Sequence, residues 1–144
     1  MPKNTKEVLD IIKNEKTFYK SLNSKIYIIN KYMLTLGSDI KKIISANLFI
    51  GYGCPAKAMT FIYNVDLPYA NMPYIIDDNV LKQKKFIPGY NIQIVNKKSV
   101  NINVYKYILV FSWNVYNDII KNNKSFFKNK TIIIPLPKLR IINC

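Results

Sequence analysis

Residues 49 to 64 read FIGYGCPAKAMTFIYN, with two glycines around one tyrosine, then a proline, then a lysine. Gly51 and Gly53 allow a tight turn with positive φ and let bare backbone N–H groups approach a ligand. A helix that follows aims its first amides and the positive end of its dipole at the same point. Pro55 suits an early helical position, because the N–H it lacks would have no partner there. Lys57 adds a mobile ammonium group. The chemistry offered is anion binding: the backbone of Gly51, Tyr52, Gly53, Pro55 and Ala56, with Lys57, forms a cradle for a diphosphate. The chain has only four glycines, at 37, 51, 53 and 89, so placing two within three residues implies a backbone need. A tight turn without a ligand is the alternative.

Other side chains fall where they could assist. Asp77 and Asp78 lie 24 to 27 residues beyond the two glycines, near where a dinucleotide fold places its ribose-binding acid. Asp77 is the candidate for ribose hydroxyls, and Asp78 starts a turn. Tyr52 either stacks on a base or sugar face or is a partly buried aromatic. Asn64 either bonds a sugar hydroxyl or caps its helix. Lys82 and Gln83 belong to a loop that either closes over a ligand or is solvated. Trp113 lines the core or the site, and Asn114 reads first as an N-cap. The chain has no histidine, and Cys54 and Cys144 are far apart in sequence, which excludes a structural zinc site and a histidine-based acid/base device. Tyr52, Cys54 and Lys57 remain as groups able to move a proton or attack a carbonyl. A thiol beside a helix N-terminus and a lysine is expected to have a lowered pKa, although no triad-like partner is visible.

The elements that must position these residues follow from periodicity. Residues 5 to 14 can form a short helix. Phe18, Leu22, Ile26, Ile29, Met33 and Leu36 recur at helical spacing, and Ile40, Ile43 and Ile44 extend the stripe, so a helix is expected over 17–45 with a possible stop at Gly37. That stripe packs on the domain's own sheet or forms a seam with a second subunit. Strands are expected at NLFIGY, MPYIID, NIQIV, KYILVFSW and KTIIIPLP, and helices at AKAMTFIYN and NVYNDIIKNN. Alternating strands and helices mean crossover connections and a mainly parallel sheet. The expected fold is α/β: a three-layer Rossmann-like domain over 46–144, preceded by a long N-terminal helical arm over 1–45.

The formal net charge of +14 comes from 21 Lys and a single Arg against 8 acids. Arginine is the preferred reader of phosphates and base edges, and the lysines are scattered, which favours a solvated basic surface over a nucleic-acid face. Attraction to small anions survives. No apolar run approaches the roughly 18–20 residues that span a bilayer. With two unpaired cysteines and a polar N-terminus, a cytoplasmic setting is expected.

The segment GYGCPAKAMTFIYN resembles the G-Y-G-A-x-A-K-G-x-T-x-L-N stretch that opens the C-terminal domain of sugar C-methyltransferases. Three further blocks occur in order: IIDDNVLKQKKFIPGYNIQI, ILVFSWNVYNDII and IIIPLPKLRII. The chain differs within these blocks at Cys54, Ala58 and Lys84, where the family has small residues or glycine. A second stretch, from FIGYG through YIIDDNVLKQKKFIPGYNIQIV, is similar to small Rossmann-like domains in front of nucleotide-sugar acetyltransferases and sugar dehydratases. Both resemblances imply the handling of a nucleotide-diphosphate sugar in deoxysugar or polysaccharide biosynthesis. The first also implies that S-adenosylmethionine enters only through a partner, a separate methyltransferase subunit, with NAD(P) as the alternative cofactor. The expected function is therefore a nucleotide-sugar-binding module not competent in methyl transfer alone. The alternatives are a small epimerase- or reductase-type enzyme and a basic nucleic-acid-binding protein. Packing of the N-terminal helix on the domain's own sheet is the first expectation, and a homodimer through that helix is the alternative.

Overall fold

The computed structural model describes residues 5–144. One helix, α1 (Thr5–Ile44), runs unbroken through Gly37 and joins the two helical segments expected from the sequence. The absent side chain at Gly37 serves packing instead of a stop, since a Cβ there would lie 3.1 Å from the Asp66 carbonyl oxygen. Only the end of α1 is built into the domain: Leu36, Ile40 and Ile44 are buried, while most residues before them are exposed. Tyr32 donates to the Pro137 carbonyl and Lys41 pairs with Asp66, which pins this docked end.

Strands β1 (Phe49–Tyr52), β2 (Tyr74–Ile76), β3 (Gln93–Val95), β4 (Tyr107–Val110), β5 (Thr131–Ile134) and β6 (Arg140–Asn143) form one sheet in the order β3-β2-β1-β4-β5-β6. The first five are parallel and β6 is antiparallel to β5. This is the doubly wound order, in which chain direction across the sheet reverses between β1 and β4. The sequence reading did not include β6. Its residues are mostly exposed and carry neither the continuous apolar run nor the buried pattern of the inner strands.

Alternation along the strands builds two cores. Phe49, Ile75, Leu109 and Ile133 face α1 and α2 (Ala56–Asn64), together with Phe61 and Ile62. Ile50, Ile76, Ile108, Val110 and Ile132 face the other way, toward α3 (Tyr116–Asn122) and α4 (Lys124–Phe127), where Phe127 is fully buried. The result is three layers. The carboxyl ends of β1 and β4 meet at the reversal point, where open parallel sheets form their ligand crevice.

Candidate functional site

The two glycines are needed by the protein's own packing. Gly51 sits mid-strand in register with Ile75 on one side and Leu109 on the other. A Cβ there would lie 2.7 Å from both Ile75 Cγ1 and Phe111 Cε2. Gly53 leaves the strand with φ +77, and a Cβ on it would lie 2.1 Å from Ser112 Oγ. The turn after β1 is thus pressed against the turn after β4. Ser112, immediately before Trp113, is the residue that sequence reasoning missed.

The amides of this turn are already engaged, which corrects the expected diphosphate cradle. Gly53 N donates to the Ile76 carbonyl at 2.7 Å, and Cys54 N donates to Asp77 Oδ2 at 2.7 Å. Asp77 is 8% exposed and also accepts from Asn79 N at 2.9 Å, so its carboxylate anchors the glycine turn and is not free for ribose hydroxyls. Lys82 Nζ reaches the Cys54 carbonyl at 2.9 Å and Asp77 Oδ2 at 3.3 Å, while Gln83 Nε2 donates to the Asp77 carbonyl at 2.9 Å. Lys82 straps the 77–85 segment to the turn, and Gln83 closes that segment on itself. Both side chains are partly exposed but engaged, so they are not a free lid.

Tyr52 does not project from the turn. It is buried beneath Phe126 and Phe127, with ring centroids 6.3 and 5.4 Å away in edge-on geometry. Its hydroxyl faces Asp78 Oδ2 at 3.5 Å. Burial first, then the Asp78 carboxylate, pushes its pKa up to about 12, which removes it as a base near neutrality. Cys54 also departs from expectation. Burial and the Asp77 carboxylate raise its pKa, and the opposing pull of Lys82 is smaller. The shift is opposite to the lowered pKa expected of a reactive thiol, and the side chain is buried. In the folded protein a thiol-alkylating reagent should modify exposed Cys144 and leave Cys54 unmodified; equal labelling under native conditions would contradict this placement.

Pro55 lies just ahead of α2 at the N-cap position, with φ −70, one residue earlier than the first helical turn. The next two amides, Ala56 N and Lys57 N, precede the reach of any intrahelical acceptor and have no partner among the described residues. Lys57 Nζ lies over the Trp113 ring at 4.4 Å from its centroid. Partial burial lowers the Lys57 pKa. Trp113 straddles both cores at the sheet rim, with Phe61 on one side at 6.0 Å. It is both core and lining. Asn114 is exposed and does not cap α3, whose start carries no side-chain cap. Asn64 closes the far end of α2, donating to the Thr60 carbonyl at 2.7 Å. It lines a separate cavity of about 530 Å³ with Tyr63, Asp66, Tyr69 and Tyr90, away from the glycine turn.

Two cations beside the turn are paired with carboxylates. Lys82 is paired with Asp77, and Lys97 lies 4.0 Å from Asp78. Lys57 has no carboxylate partner among the described residues. No three metal-binding side chains converge there or elsewhere among them. Among the described residues no helix is long and apolar enough to cross a membrane.

The model of the C-methyltransferase C-terminal domain matches residues 4–137, ending in the β5–β6 connection. The chain belongs to the C-methyltransferase C-terminal domain family. The match takes in the long helix as well as the first five strands. The chain is also similar to the C-methyltransferase NovU of Streptomyces niveus, at 34% identity over 94 residues, which are 65% of this chain and 22% of that protein. The aligned part is therefore about a fifth of the relative's length.

Proposed function

We propose that this C-methyltransferase C-terminal domain holds a nucleotide-linked deoxy- or keto-sugar by its diphosphate, and that methyl transfer from S-adenosylmethionine depends on a separate methyltransferase subunit. The observation that carries the reading is Lys57, a cation without an acidic partner, beside two unclaimed first-turn amides at the reversal point of the sheet. Unclaimed amides at a helix start and an ammonium group suit a phosphate. Half-buried Trp113, with the Lys57 ammonium over its ring, supports a contact with the base or sugar ring beside the phosphate. This moves the anion from the turn itself to the first turn of α2. Tyr52 and Cys54, whose protons are held more tightly than usual, supply no catalytic base. The domain's part is binding and orientation.

Trp113 is the only tryptophan, so its fluorescence reports directly on the site. Titration with a deoxythymidine- or uridine-diphosphate sugar should change its emission saturably. Lys57→Ala should weaken binding about 10-fold or more, the magnitude of a lost charge-assisted contact of roughly 1.5–3 kcal/mol. Affinity should be full below the lowered Lys57 pKa and fall as pH rises through it, earlier than for a solvated lysine; Lys57→Arg should remove that loss. A calorimetric titration showing no binding at millimolar nucleotide-sugar would overturn the reading.

A further inference from the structure

The apolar stripe of α1 does not end where the domain does. Leu36 and Ile40 are buried on the sheet, and the same heptad positions continue upstream through Met33, Ile29, Ile26 and Leu22 to Ile12. Along that upstream stretch Ile12 is 40% exposed, Ile26 46% and Ile29 58%. Residues 5–31, ahead of the Tyr32 contact, make a helix about 40 Å long at 1.5 Å per residue. A heptad seam of alternating three- and four-residue steps is matched by another helix with the same period.

We propose that this seam is covered by the α1 helix of a second copy of the chain, running antiparallel. This inference is independent of the nucleotide-sugar reading. Three observations select the occupant and its direction. The first is area: about eight seam and flanking side chains per copy, at roughly 60–120 Å² each, remove on the order of 1,300 Å² in the pair, within the range of a stable interface. The second is charge. The seam has one ionic interruption, Glu15. A parallel pair would set the two Glu15 carboxylates against each other. An antiparallel pair that matches Ile12 with Ile29 sets Glu15 opposite Ile26 and beside Lys25 of the second copy. The third is space. The domain lies on the seam face at Leu36 and Ile40. Parallel helices would drive both domains into the volume between them, whereas antiparallel helices carry them at opposite ends.

Sedimentation equilibrium of the full chain should show a dimer at micromolar concentration. Ile26→Asp should weaken association at least about 100-fold by placing an unpaired charge in the seam. Its domain should keep an unchanged melting transition, because Ile26 lies outside the buried core. Under mild oxidation, a mixture of Ile12→Cys and Ile29→Cys chains, both in a Cys144→Ser background, should form the mixed disulfide dimer, and neither chain alone should cross-link. A monomeric wild-type chain, a dimer that survives Ile26→Asp, or cross-linking of Ile12→Cys chains with themselves would each overturn the proposal.

Discussion

Gly53→Ala should lower stability by about 2–4 kcal/mol. Two costs combine. At φ +77 an alanine is strained by roughly 1 kcal/mol. Its Cβ would also lie 2.1 Å from Ser112 Oγ and 2.9 Å from Ser112 Cβ, and this second contact cannot be relieved by rotating the hydroxyl. The turns after β1 and β4 would have to separate, and both are tied to inner strands, by Gly53 N to Ile76 and Phe111 N to Tyr52. Overpacking of this kind costs about 1–3 kcal/mol. Chemical denaturation of Gly53→Ala and of the double variant Gly53→Ala/Ser112→Gly separates the two costs. The double variant should recover the steric part and keep only the backbone strain. An unperturbed midpoint for Gly53→Ala would refute the packing account.

Asp77→Ala should cost about 3 kcal/mol. The carboxylate accepts from two backbone amides, Cys54 N and Asn79 N, and from Lys82. Removing it leaves the Cys54 amide in a buried turn without an acceptor, a loss of roughly 1–3 kcal/mol, and frees the 77–85 segment from the turn. The Lys82 contribution is discounted, because its side chain is 39% exposed and solvent replaces the pairing. Asp77→Asn retains one oxygen acceptor and should lose about half as much. Equal denaturation midpoints for wild type and Asp77→Ala would show that the anchor is dispensable.

These two residues also show what the sequence could reveal. The strand-turn-helix around Gly51 to Asn64 was legible, because a buried apolar run, two glycines, a proline and a helical period are all local signals. The need for glycine was legible as well. Its cause was not, since Ile75, Phe111 and Ser112 come from other strands, brought alongside by a register that no local pattern encodes. Asp77 was recognisable by spacing as an acid at the end of β2. Spacing alone could not tell a ribose ligand from a carboxylate already engaged with the Cys54 amide. For Cys54, helix dipole and lysine argued for a reactive thiol, and burial with a nearby carboxylate proved stronger. Lys57 was visible from the start, but its position over the Trp113 ring and beyond ion-pair reach of any described carboxylate depends on contacts between distant elements. β6 escaped notice because an exposed edge strand lacks the apolar run that marks the inner ones.

The long helix has a mechanical implication. It is held near Met33 to Ile44 and extends about 40 Å beyond that root. A tilt of 5° at the root, where Gly37 abuts the backbone of Asp66, would displace the tip by about 3–4 Å, more than the length of a hydrogen bond. The closeness of that backbone contact therefore sets the aim of the whole lever.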